Sequence, residues 1–75
     1  MTNNYKAERA TLTRQQCWSC GKPRYMVVAD YGTAGVDVTC LYCGQRWQDG
    51  ELIRVGDQKA SKQQARDVYR ECRYD

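Results

Sequence analysis

The chain has 75 residues and a formal charge of +3, with 28% of residues charged and 41% hydrophobic. That length holds one small domain and no second core, and no apolar run is long enough to cross a bilayer. Phe and His are absent, Ile occurs once and Leu three times, so the core must come from Tyr, Trp and Val, and histidine-based acid–base catalysis is excluded.

Residues 1–10 are polar, carry no period and read as a flexible N-terminal lead. The alternation Thr11-Leu12-Thr13 predicts a short extended approach over residues 11–16. A hook follows, Cys17-Trp18-Ser19-Cys20-Gly21, with its sulfurs at i and i+3. Pro23 prevents a helix there, and residues 24–29 predict a strand from their aromatic and β-branched content. Residues 30–35 form a glycine-punctuated loop. Val36, Val38 and Cys40 then alternate onto one face of a return strand that ends in a second hook, Cys40-Leu41-Tyr42-Cys43-Gly44. A hairpin across the 19-residue spacer between the hooks therefore brings four sulfurs to one end. Residues 45–48 and 51–55 predict a further hairpin about Asp49-Gly50, a favourable type I′ pair, and Trp47 is placed beside the second hook as a shield for its sulfurs. From residue 60 the period becomes helical, with Ala65, Val68, Tyr69 and Cys72 in one stripe. Ser61 and Gln64 have the spacing of a capping box, and Asp57 offers an earlier cap.

Two C-x-x-C-G hooks offer four soft thiolates, a complete tetrahedral shell for Zn²⁺. The duplicated pair is far more specific than a single C-x-x-C. Disulfides fit less well, because the cysteine count is odd, bridges within a hook would be strained, and residues 1–16 contain no apolar h-region of a signal peptide. A thioredoxin-like pair requires a βαβ setting and leaves the duplication unexplained. A domain this small needs a staple, and zinc binding at ~10–16 kcal/mol is large enough to be one. Four thiolate ligands leave no open position for water or substrate, so a non-enzymatic role is expected. Free thiols indicate a reducing compartment, hence the cytoplasm, including a host cytoplasm if the chain is virus-encoded.

Charge is segregated along the chain. Residues 1–29 carry +4, residues 30–57 carry −3 and residues 58–75 carry +2. Four thiolates with one divalent ion lower the total to about +1. Basic ends flanking an acidic middle suit contact with a polyanion on one surface. Tyr25 and Trp47 are assigned to the core, whereas Trp18, Tyr31 and Tyr42 lie in turns. Interleaved with Lys22, Arg24 and Arg46, these rings can stack on bases or anchor a protein partner. Lys59, Lys62, Arg66, Arg70 and Arg73 can meet phosphates or an acidic protein surface. Cys72, on the apolar face of the helix, reads as a small core residue.

The hooks over residues 17–55 resemble the zinc ribbon (zinc β-ribbon) family, in which two C-x-x-C knuckles at the tips of β-hairpins hold one zinc. The resemblance implies a small metal-stabilised α+β fold, in which a zinc β-ribbon of antiparallel hairpins over residues 11–56 precedes an amphipathic helix over residues 57–75. It implies a single structural Zn²⁺ on Cys17, Cys20, Cys40 and Cys43. A GATA-type finger has related spacing but requires a helix directly after the second knuckle, where residues 47–55 read as strand. In size and basic helical tail the chain looks similar to short phage-type zinc regulators. The expected role is a regulator or adaptor of transcription or other nucleic-acid machinery, contacting DNA or RNA or docking onto a polymerase-like protein. The alternatives are a small inhibitor of a host or partner protein and a rubredoxin-like electron carrier.

Overall fold

A computed structural model describes residues 7–72 in full and the backbone of residue 73. Residues 1–6, most of the N-terminal lead, lie outside the described residues. The described chain forms a five-stranded antiparallel sheet followed by one helix, the small α+β architecture expected. The strands are β1 (Arg9–Gln16), β2 (Pro23–Asp30), β3 (Val36–Cys40), β4 (Arg46–Gln48) and β5 (Glu51–Ile53), and the helix is α1 (Gln58–Arg73). The strands pair in sequence order, so the sheet is a meander. Both hooks occupy connections at the same end of it, the first between β1 and β2, the second between β3 and β4.

β1 is a full eight-residue strand rather than the short approach expected, and it begins inside the segment read as lead. It pairs with β2 along its whole length, from Arg9 opposite Asp30 to Gln16 opposite Pro23. The cause lies in β2, which buries Met26, Val27 and Ala29 and so needs hydrogen-bond partners on both edges. β3 covers one edge and β1 the other. The β4–β5 turn is as expected: Asp49 and Gly50 both have positive φ (50° and 88°), the type I′ signature whose twist matches the strands.

Alternation divides the sheet into two faces, one apolar and one mixed. On one, Met26 stands opposite Cys40 and Val38 opposite Trp47, and with Cys17 they form the buried cluster at the hook end. On the other, Val27 stands opposite Thr39 and Ala29 opposite Asp37. These four line a small cleft of about 90 Å³ with Ser61, Ala65 and Val68 of α1. The helix thus docks on the face away from Trp47. Cys72 is half-buried at its far end, where its thiol donates to the Ala7 carbonyl oxygen at 3.4 Å, in keeping with a packing role. No helix among the described residues is long and apolar enough to cross a membrane.

The start of α1 departs from the capping-box reading. Asp57 is the cap: its Oδ1 accepts the Ala60 N–H at 3.1 Å. Ser61 lies one turn inside the helix, where its buried hydroxyl donates to the Gly44 carbonyl oxygen at 2.7 Å. A serine buried against a backbone carbonyl is a tertiary anchor, and its spacing to Gln64 is incidental.

Gly44 explains why helix and hook lie so close. It has φ of 80°, and a Cβ placed there would sit 2.5 Å from the carbonyl oxygen of Gln58. Gly50 has a similar φ of 88° with nothing within 4 Å. Gly50→Ala is therefore expected to cost only the left-handed strain, about 1–2 kcal/mol. Gly44→Ala adds a collision with helix backbone and is expected to cost roughly 3 kcal/mol or more. Denaturant midpoints of the two variants check this, and equal losses would show that helix and hook are not in contact.

Candidate metal centre

The two hooks have the same internal wiring. In the first, Cys17 N–H donates to the Lys22 carbonyl oxygen and Gly21 N–H to that of Cys17. In the second, Cys40 N–H donates to Gln45 and Gly44 N–H to Cys40. Gly21 and Gly44 take φ of 75° and 80°, the left-handed step that lets each chain turn back into a strand. Each turn aims amides at its own leading sulfur. Cys20 N–H reaches Cys17 Sγ at 3.3 Å, and the N–H groups of Tyr42 and Cys43 reach Cys40 Sγ at 3.4 and 3.5 Å. The Leu41 N–H donates to the Tyr25 carbonyl oxygen at 3.0 Å, tying the second hook to β2 beside the first.

The four sulfurs of Cys17, Cys20, Cys40 and Cys43 lie within 4.8 Å of one another. Cys17 Sγ and Cys43 Sγ, from opposite hooks, are 3.8 Å apart. A tetrahedron with metal–sulfur bonds of ~2.3 Å has edges of about 3.8 Å, so the cluster has the dimensions of a four-thiolate shell. A disulfide would need about 2.05 Å, and all five cysteines are free. The cluster therefore fits a metal ion, with all four protein ligands supplied by this chain. Cys17 and Cys40 are fully buried, and Trp47 closes the site from the sheet side as expected.

The thiols respond differently to confinement. Burial pushes all three perturbed thiols up. At Cys17 the amides of Cys20 and Ser19 outweigh that, leaving it below its ordinary value. At Cys40 burial prevails over the amides of Cys43 and Tyr42 and the thiol is raised. Cys43 is pushed up to about 12, by burial first and then by the adjoining sulfurs of Cys40, Cys20 and Cys17, which compete for its proton. Without a cation, four thiolates cannot coexist at this spacing.

The surrounding candidates separate into two groups. Trp18 and Tyr42 project from the hooks and are exposed, at 63% and 62%. Tyr25, assigned to the core by composition, is also exposed at 52%. Helix α1 covers Val27 and Ala29 on that face of β2 but stops short of Tyr25, whose neighbour across the sheet is Arg14. The Arg24 guanidinium lies over the Tyr42 ring, 3.7 Å from its centroid, and Arg14 over Tyr25 at 5.5 Å. Lys22 is exposed in the first hook, and Lys62 reaches down from α1 to the Tyr42 carbonyl oxygen at 3.2 Å.

The other group lies elsewhere. Arg46 points to the helix side of the sheet, where its Nη2 pairs with Asp37 Oδ2 at 2.7 Å. Tyr31 lines the same cleft. Lys59 and Arg66 are exposed on α1, and Arg70 pairs loosely with Asp67 at 3.8 Å. The side chain of Arg73 lies outside the described residues. Arg14 joins Tyr25 at this end of the sheet without being marked out by its local sequence. Its only sequence signal is the period-2 register with Tyr25, which becomes legible once β1 is known to run its full length.

No family model matches the chain, and no curated protein or solved structure shows significant similarity to it. The four-cysteine cluster in a small antiparallel sheet with one helix is consistent with a zinc-ribbon-like fold.

Metal binding must displace the protons that Cys40 and Cys43 hold at neutral pH. Their folded pKa values are raised, so the protons stay on as pH falls and apparent metal affinity falls with them. Because Cys43 titrates near 12, this dependence extends across the whole neutral range. Competition against a chromogenic chelator is expected to show affinity rising at least ~10-fold per unit between about pH 6 and 8. One equivalent of metal should bind wild type, and none should survive the same competition in Cys40→Ser. A flat pH profile would count against thiol ligation.

Proposed function

We propose that this chain is a zinc-organised adaptor of nucleic-acid machinery that contacts nucleic acid directly with its hook end. Zinc is assigned because a filled shell of four thiolates suits a structural ion. Iron, the alternative for such a shell, would colour the purified protein red and bleach with dithionite. A colourless protein supports the assignment.

The observation that carries the reading is the polarity of the sheet. Arg14, Lys22, Arg24 and Lys62 gather around the hooks. Asp30, Asp37, Asp49 and Glu51 lie towards the opposite end, with Asp30 across from Arg9 and Val36 and the other three around the β3–β4–β5 hairpins. Among the described residues, ion pairs join only Arg46 with Asp37 and Arg70 with Asp67. Among the described residues the cations at the hooks have no carboxylate partner there, and Asp57, which follows β5, is engaged as the helix cap. A cluster of unpaired cations on one end of a small domain, with the acids held at the other, is the footprint expected for a polyanion.

Anisotropy titration of the zinc-loaded chain with labelled mixed-sequence DNA and RNA tests this. Three or four phosphate contacts should lower affinity roughly 20- to 150-fold between about 50 and 200 mM salt. Lys22→Ala and Arg14→Ala should each flatten the salt slope. Failure to bind either nucleic acid at the lower salt would remove the reading and leave protein docking.

A further inference from the structure

We propose that the nucleic acid taken by the hook end is single-stranded, with two of its bases stacked on Trp18 and Tyr42. The inference rests on the preceding reading and adds to it the class of strand.

It starts from an imbalance in this chain. Phe is absent and large aliphatic residues are few, so aromatic rings are the scarce material from which a core can be made. Yet Trp18, Tyr42 and Tyr25 are each more than half exposed, all at the hook end. Rings withheld from so small a core forgo burial that the fold needs.

These rings are also held in place. Trp18 sits inside the first hook and meets Trp47 edge to face, with centroids 5.0 Å apart and planes at 74°. Trp47 is itself buried against the cysteine cluster, so Trp18 stands on a chain of contacts that ends at the metal ligands. Tyr42 sits inside the second hook. Its N–H is bound by Cys40 Sγ, its carbonyl by Lys62 Nζ, and one face of its ring by the Arg24 guanidinium. Exposed rings fixed by the backbone of a metal hook lose little freedom when a ligand stacks on them, which is what favours stacking affinity.

A duplex cannot use these rings. Its base faces are already stacked and paired, and only groove edges and phosphates are accessible. Trp18 and Tyr42 project from a pair of tight turns and offer flat apolar faces, with Arg24 against the other face of Tyr42 and the exposed Lys22 following the first hook. Unstacked bases with phosphates between them match that alternation of π surface and cation.

The test uses the full zinc-loaded chain with fluorescein-labelled oligo(dT) and oligo(U) of about 12 nucleotides and a duplex of equal length, read by anisotropy and by quenching of tryptophan emission. Single strands are expected to bind at least ~10-fold more tightly than duplex at the same salt, with quenching of Trp18. Each of Trp18→Ala and Tyr42→Ala should weaken single-strand binding by roughly 5- to 150-fold, and Trp18→Phe should recover most of the loss. Glu51→Gln, at the far end of the sheet, should bind like wild type. Zinc content of each variant, measured alongside, separates a lost ring from a lost fold. Preference between oligo(dT) and oligo(U) tells DNA from RNA, and either supports the proposal. If the duplex binds as well as the single strands and the ring variants lose nothing, the stacking proposal is overturned while the polyanion reading stands. If no oligonucleotide binds, both fall.

Discussion

Four thiols held within 4.8 Å of one another are a liability in the absence of a cation, and the rest of this chain depends on how that liability is resolved. Burial keeps protons on Cys40 and Cys43, reinforced at Cys43 by the adjoining sulfurs, while amide donation lowers Cys17. A divalent ion held there would replace those protons and turn the repulsion into four bonds. The scale of that exchange, ~10–16 kcal/mol for small zinc modules, exceeds the ~3–5 kcal/mol a core of this size supplies. Of the residues buried with the cysteines, only Met26 and Trp47 are large. The same strands that bury Met26 and Trp47 aim the sulfurs, so a metal held by them would stabilise sheet and hooks together.

Helix α1 is coupled to that unit through one narrow point. Gly44 is at once the left-handed exit of the second hook, the acceptor for the Ser61 hydroxyl and the surface against which Gln58 packs. Lys62 adds a second tie to the Tyr42 carbonyl. Any rearrangement of the second hook on metal loss therefore reaches the first two turns of the helix directly. The first hook meets the rest of the sheet through Cys17, which packs with Met26, Cys40 and Trp47, and through Trp18 on Trp47.

The parts of this architecture that could be read from the amino-acid sequence are those fixed by near neighbours. The two hooks, the hairpin that joins them, the Asp49-Gly50 turn and the helical stripe each rest on a few adjacent residues with one dominant preference. What could not be read depends on partners far along the chain. Thr11 to Gln16 carries weak strand signals because β1 is held by the edge of β2 rather than by its own apolar content. Tyr25 looks like core by composition, and its exposure follows from where a helix some 35 residues later stops covering the sheet. Ser61 reads as a local cap, but its acceptor is Gly44, 17 residues away. Arg46 lies next to Trp47 in the chain, and strand alternation sends the two to opposite faces, so one meets Asp37 and the other the cysteines.

The charge pattern shows the same passage from sequence to space. Along the chain, basic ends enclose an acidic middle; in the folded sheet the meander converts that order into a gradient from the turn end to the hook end. The gradient would have to survive metal binding, because a divalent ion on four thiolates would carry two net negative charges at the basic end. Arg14, Lys22, Arg24 and Lys62 outnumber those charges, and the N–H groups of Cys20, Tyr42 and Cys43 absorb part of the sulfur charge without adding to it. What remains facing solvent is net positive and is interleaved with rings. The cations also have a part in holding the shell, since Arg24 and Lys62 are fixed on Tyr42 within the hook itself. Organisation of the metal and presentation of the surface are thus carried by the same few side chains, and a substitution at Arg24 or Lys62 would disturb both.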